Sequence, residues 1–180
     1  KHGDHSLIES QIVDNRSNCS EEIPLNFTFI IEKQTMFFSF SSVSICVNGY
    51  LKMFDASQNS TFYLVGYPNR YELKSGTIWY RSTTESRTLR SISETIVTTY
   101  SFPFKAQNAL IVTWDRMREA DSTMNFNRFQ LVLTKNTVQH FFLANKAFLQ
   151  SRSLPLFEIS NYRQQTAEES IIQPSLNTPI

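Results

Sequence analysis

Glycine is scarce in this 180-residue chain, at 4 residues; histidine stands at 3 and cysteine at 2. So few glycines leave no glycine-rich loop able to cradle a phosphate. His2 and His5 sit in a polar terminus, which leaves His140 alone as a candidate proton shuttle, and Cys19 and Cys46 lack the spacing of zinc ligands. Asp55, Asp115 and Asp121 are too dispersed for a calcium cage. No apolar run approaches the ~20 residues that a membrane span requires. No secretory leader opens the chain, and a processed secreted protein would equally lack one. Charge of one sign is missing as well: 17 basic and 16 acidic residues are mixed along the chain, for a formal net charge of +1. No field of that kind steers a protein to nucleic acid or to an anionic membrane. The expectation is a chain with no catalytic residues, no metal and no cofactor.

What the chain does have is phenylalanine, at 15 residues, arranged with a period of two. Leu110, Val112 and Trp114 alternate with Ile111 and Thr113; Phe129, Leu131 and Leu133 alternate with Gln130, Val132 and Thr134. Alternation over six to eight β-branched and aromatic residues marks strands with one face in a core. Lys135-Asn136-Thr137 then reads as a hairpin turn into His140–Leu143. Upstream, Leu25, Phe27, Phe29 and Ile31 share one strand face, and Phe38–Val47 forms another strand, with Val43, Ile45 and Val47 on one side and Ser42, Ser44 and Cys46 on the other. Asn48-Gly49 predicts a two-residue type I′ turn into Tyr50–Phe54. Phe62–Val65 and Gly76–Arg81 read as further strands. Leu89, Ile92, Ile96, Val97 and Tyr100 make one apolar stripe, which predicts a single amphipathic helix over about 85–100, with Thr84 as N-cap and a stop before Pro103. The fold class expected is mainly β: an antiparallel two-layer sandwich with that helix over one face. Trp114, Phe129, Leu131, Phe27 and Phe29 are the expected core. Asp115–Asn127 reads as a charged loop carrying Arg116, Arg118, Glu119 and Asp121, and His140 as a structural histidine.

Four pieces of this pattern occur in an order that resembles the nidogen-type extracellular (NIDO) domain. They are Asn48-Gly49 in an aromatic hairpin; Trp79-Tyr80-Arg81 leading through Ser82-Thr83-Thr84 into a helix; Trp114 closing Leu110-Ile-Val-Thr; and Asn127-Arg-Phe-Gln-Leu-Val-Leu followed by Phe141-Phe-Leu-Ala-Asn145. The resemblance spans roughly 27–145. One piece departs from it. Where the family carries an aromatic-Trp-Ala-Asp-x-Asp segment, this chain has Phe62-Tyr-Leu-Val-Gly-Tyr67, so no role of that acidic pair carries over.

The resemblance implies a noncatalytic, extracellular module for cell–matrix or matrix protein adhesion. It would bind an extracellular protein or glycoprotein and stand beside further domains of the same parent chain. The expected boundaries are a polar arm at 1–22, the domain at 23–160, and a linker or poorly ordered tail at 161–180. An extracellular setting favours a Cys19–Cys46 disulfide over two buried thiols, a bridge that would contribute about 2–4 kcal/mol. It also gives meaning to four glycosylation sequons, at Asn15, Asn18, Asn26 and Asn59, although 13 Asn and 38 Ser or Thr in such a chain supply about three by chance. Asn59, in a polar loop, is the best placed. The charged residues Arg116, Arg118, Glu119 and Asp121 are the candidate interaction loop. The alternative function is a carbohydrate-binding β-sandwich, with Trp79, Tyr63, Tyr67 or Tyr80 stacking on sugar rings.

Overall fold

The structure, a computed structural model, describes residues 5–7, 12–14, 18–33, 36–67, 71–72, 76–119, 126–148, 157–158, 161–164 and 169–175. In chain order its elements are β1 (His5–Leu7), β2 (Ile12–Asp14), β3 (Cys19–Ser20), β4 (Ile23–Lys33), β5 (Met36–Cys46), β6 (Tyr50–Asp55), β7 (Ser60–Val65), β8 (Tyr71–Glu72), β9 (Thr77–Thr83), α1 (Ser86–Tyr100), β10 (Asn108–Glu119), β11 (Phe126–Lys135), β12 (His140–Phe148), β13 (Phe157–Glu158), β14 (Asn161–Gln164) and β15 (Glu169–Ser175). They form two sheets. The first runs β1-β9-β10-β11-β12-β13, with β8 joining the far end of β10; the second runs β14-β15-β7-β6-β5-β3-β2, with β4 pairing to β5. Every pairing is antiparallel except β15 on β7, which is parallel. The polar stretch at 1–22 therefore contributes short strands to both sheets, and the stretch expected as linker contributes β14 and β15.

The alternating pattern decides the layering. Leu110, Val112 and Trp114 of β10 and Phe129, Leu131 and Leu133 of β11 point between the sheets. There they meet Phe27 and Phe29 of β4, Phe38, Phe40, Val43 and Ile45 of β5, and Leu51, Met53, Phe62 and Leu64 of β6 and β7. Trp114 is fully buried. Its ring stacks on Phe129, directly opposite in the β10–β11 register, at 4.9 Å and 16°, and its indole N–H donates to the Cys46 carbonyl of the other sheet at 3.1 Å. Each such side chain contributes about 1.5–3 kcal/mol on burial, so this interface supplies most of the driving force.

A second, smaller core lies on the outer face of the first sheet. Leu89, Ile92 and Ile96 of α1, with Phe104 and Ala106 beyond it, cover Ala109, Ile111, Val132 and Leu143. Val97, expected in the stripe, is 42% exposed, because one residue past Ile96 is a rotation of about 100° out of the seam. The helix starts one residue later than its predicted cap. Glu85 holds the N-cap position but caps no backbone N–H; its carboxylate accepts the Thr88 hydroxyl at 2.6 Å, and Thr83 Oγ1 accepts the Glu85 N–H at 3.1 Å. The C-terminal turn closes on Ser101, left-handed at φ 53°, before Pro103.

Two turns differ from expectation in a way the backbone explains. At Asn48-Gly49 only Gly49 has positive φ, at 85°, and its N–H donates to the Cys46 carbonyl at 3.1 Å. This is a three-residue loop, Val47–Gly49, and not the two-residue type I′ turn, which needs positive φ at both centres. A Cβ at Gly49 would also strike the Tyr67 carbonyl oxygen. At the β11–β12 turn the Asn136 side-chain oxygen accepts the N–H groups of Val138 and Gln139, at 2.8 and 2.7 Å, so asparagine shapes the turn with its side chain. Cys46, expected on the serine face, is fully buried: Cys19 on the neighbouring strand β3 pairs with it in register and is bonded to it through sulfur.

His140 fastens the β4–β5 hairpin to the first sheet. Its Nδ1 accepts the Ile30 N–H at 3.3 Å and its ring meets Phe29 edge-on at 5.4 Å. Desolvation, and then the Lys135 ammonium, hold its pKa below the ordinary 6.5. Because the folded state prefers the neutral ring, this contact is fully stabilising above about pH 6.5 and is lost as pH falls through the lowered folded value. An NMR titration should place the His140 midpoint below 6.5, with unfolding free energy falling on acidification through that range in the wild type and less so in His140→Gln. Chemical denaturation should show Trp114→Ala losing about 3–5 kcal/mol, and Trp114→Phe about 1 kcal/mol, through the lost hydrogen bond between the sheets, the Cys46 carbonyl keeping the Gly49 N–H.

Candidate functional site

Arg116, Arg118 and Glu119, expected on a loop, stand on a strand. β10 continues through Glu119 and pairs with β8 and β11 to its end. Charged residues hid the pattern because a bulge resets it. Trp114 pairs with Phe129 and Met117 with Asn127, so Asp115 and Arg116 together oppose Arg128. The extra residue bends the strand and shifts the alternation by one, which returns Met117 to the core as a fully buried side chain. Arg116 takes the strained position, exposed and left-handed at φ 56°.

Gly76 makes room for this bend. A Cβ there would lie 2.6 Å from the carbonyl oxygens of both Asp115 and Arg116. Arg128 Nε lies 2.8 Å from Asp115 Oδ1, an ion pair whose alignment falls short of a hydrogen bond. The buried Asn127 donates from Nδ2 to Glu119 Oε1 at 2.8 Å. Burial, and then the nearby Glu119 carboxylate, push the Tyr71 hydroxyl up to about 12. Tyr71 is itself buried against Phe129, with ring centroids 5.3 Å apart.

The α1 layer covers the outer face of the first sheet only as far as the Ile111–Val132–Leu143 row. Beyond the reach of α1 lie two further rows, half-buried except for the exposed Arg128: Trp79, Thr113 and Gln130, where Gln130 Nε2 donates to Thr113 Oγ1 at 2.8 Å, and then Thr77, Asp115 and Arg128. Past the bulge come Arg118 and, paired with it, Phe126, which is 47% exposed. The result is a sheet end of mixed charge, with Arg116, Arg118 and Arg128 among Asp115, Glu119 and Glu72 and an exposed aromatic at its rim. Phe126 and the Asp115–Arg128 pair were missed in the sequence as parts of one surface; the polar-aromatic step Asn125-Phe126-Asn127 was the only signal of them.

The remaining candidate residues are scattered. Asn18, Asn26 and Asn59 are exposed, all on elements of the second sheet; Asn15 and Asp121 lie outside the described residues. Of the aromatic residues considered for sugar stacking, Tyr67 packs its ring on Phe129 at 5.5 Å, Tyr63 meets Tyr50 at 5.6 Å, and Tyr80 packs against the main core; Trp79 is the one on the rows beyond α1. Among the described residues no cluster of His, Cys, Asp and Glu is placed to hold a metal ion, and no helix is long and apolar enough to cross a membrane.

A family model, that of the nidogen-like domain, matches residues 46–150. The chain belongs to the nidogen-like domain family. The matched span opens at Cys46 and holds the helix, the Trp114–Phe129 stack and the bulge with Arg116, Arg118 and Glu119. No curated protein and no solved structure matches the chain. Nidogen-like domains are non-enzymatic modules of larger, matrix-type extracellular proteins.

The bulge makes a sharp local prediction. Arg116→Gly should be neutral or stabilising by up to about 1 kcal/mol, since glycine adopts positive φ without strain, whereas Arg116→Val should destabilise by about 1–2 kcal/mol. Gly76→Ala should cost about 1–3 kcal/mol through overpacking against two carbonyls. Urea unfolding of the three variants checks both statements.

Proposed function

We propose that this nidogen-like domain is a cell–matrix or matrix adhesion module that holds an extracellular protein or glycoprotein partner through the bulged end of its first sheet. The observation that carries the proposal is the register that brings the exposed Arg116, Phe126 and Arg128 to one end of the outer face, beside the half-buried Trp79, Asp115 and Arg118. Its backbone is fixed on three sides, by β8, β9 and β11. A fixed surface binds without first ordering its residues, which is the main cost a loop would add. Arginine and aromatic side chains are also the types that carry most binding energy where they are buried by a partner. Membership of a family of matrix modules supports the extracellular placement and the presence of neighbouring domains in the parent chain.

Carbohydrate recognition is the second reading. It draws on Trp79, which lies half-buried on the rows beyond α1 beside Thr113 and Gln130. A glycan array that stays blank with folded protein removes it.

Proximity labelling tests the first reading. Cells secreting the domain fused to a peroxidase should label a reproducible set of extracellular proteins, and Arg116→Ser/Arg118→Ser should reduce that labelling by about tenfold or more, with the fold intact. Unchanged labelling by the double variant would refute the surface assignment.

A further inference from the structure

The β6–β7 hairpin joins a glycosylation sequon to an exposed aromatic ring. Phe54 pairs directly with Thr61, and Asp55 with Ser60, so the loop between them is 56–59 and Asn59 ends it. Met53 and Asp55 point inward and are buried, which sends Phe54 outward, where it is 44% exposed. Thr61 faces outward beside it, half-buried, because Phe62 is buried in the core. Directly paired side chains lie about 4.5–5.5 Å apart at Cβ. Asn59, two residues before Thr61, ends the adjoining loop, exposed and left-handed at φ 48°.

The loop holds that geometry firmly. The buried Asp55 carboxylate accepts the N–H groups of Ser39, Ser57 and Gln58 at 3.0, 2.8 and 3.2 Å. Beyond Phe54 and Thr61 a shallow groove of about 210 Å³ continues across β5–β7, lined also by Glu22, Ser42, Ser44 and Lys52. A greasy ring at the head of a polar groove suits a sugar, which has one face of C–H groups and a rim of hydroxyls.

We propose that Asn59 carries an N-linked glycan whose first N-acetylglucosamine packs its C–H face on Phe54 and against Thr61, with the following sugar entering the groove. The inference rests on the extracellular placement proposed above. The attachment is a glycosyl transfer from a lipid-diphosphate-linked oligosaccharide: Asn59 Nδ2 bonds to the sugar C1, the C1–O bond to the diphosphate breaks, the diphosphate leaves with that electron pair, and the amide releases one proton. The other described sequons lack this arrangement. Asn18 precedes the bridged Cys19, and the hydroxyl of its Ser20 is buried, accepting the Ile45 N–H at 3.0 Å. Asn26 lies on β4, where the register with β5 is interrupted between Pro24 and Phe29.

The test uses the whole chain secreted from a mammalian cell line behind a leader peptide. Glycopeptide mass spectrometry reads occupancy, and an endoglycosidase trims each glycan to one N-acetylglucosamine. Trimmed wild type should melt about 2–4 °C above Asn59→Gln. On a Phe54→Ser background the same comparison should shrink to under about 1 °C, the non-additivity expected of groups in contact. Phe54 is exposed enough for its replacement to leave the core folded. An equal glycan effect with and without Phe54 overturns the proposal. So does an empty Asn59 beside an occupied Asn18 or Asn26, which leaves the extracellular reading standing. Sugar at none of the sequons overturns the proposal and counts against the extracellular reading too.

Discussion

A hydrogen bond from one buried indole, itself held by a stacked ring, ties the centres of the two sheets together. The Trp114 indole lies flat on Phe129 within its own sheet and reaches across the core to donate to the Cys46 carbonyl. Cys46 is bonded in turn to Cys19, so the same point also fixes β3, next to the edge strand β2. The turn that follows is built onto the contact. Val47 donates to the Asn18 carbonyl at 2.8 Å, and a Cβ at Gly49 would meet both the Tyr67 carbonyl and the Phe129 ring. Five segments distant in sequence thus converge on one buried indole. An aromatic residue without a donor would fill the space but forfeit the hydrogen bond that joins the sheets, leaving the Cys46 carbonyl with the Gly49 N–H alone.

Just past Trp114, the same strand supplies the proposed interaction surface. The bulge at Asp115–Arg116 lets β10 keep its core face through Met117 while turning Arg116 outward. Because the strand is anchored just before the bulge and paired just after it, the arginines project from a backbone that has little freedom left. The cost of that precision is visible in a left-handed Arg116 and in a Gly76 that tolerates no side chain. The two outer faces of the sandwich are unlike each other. One is roofed by α1 over part of its length; the other carries a polar groove lined by Phe54.

Much of this was legible from alternation alone. The inward sets of β4, β10 and β11 follow directly from Phe27 and Phe29, Leu110 to Trp114, and Phe129 to Leu133, because a strand with one dry face must repeat every second residue. The helix was legible from Leu89, Ile92 and Ile96. What alternation could not show is where it is interrupted. A single added residue at Arg116 breaks the period, so the rest of β10 looked like a charged loop. At Asn48-Gly49 the dipeptide pointed to a tighter turn than the one formed, since the close approach of Tyr67 is a tertiary constraint. The pairing of β1, β2 and β3 and of β14 and β15 was equally hidden: such short or polar segments are strands because of what lies beside them and not because of their own composition. For the surface, residue types suggested the arginines, but only the register brought Phe126, Trp79 and Arg128 to the same end.

The most direct measurement is hydrogen exchange at the Trp114 indole N–H, followed by NMR. If Trp114 ties the sheets together, its indole proton should exchange only when the whole domain unfolds, with a protection free energy equal to that from denaturant unfolding. Exchange far faster than global unfolding allows would contradict the account.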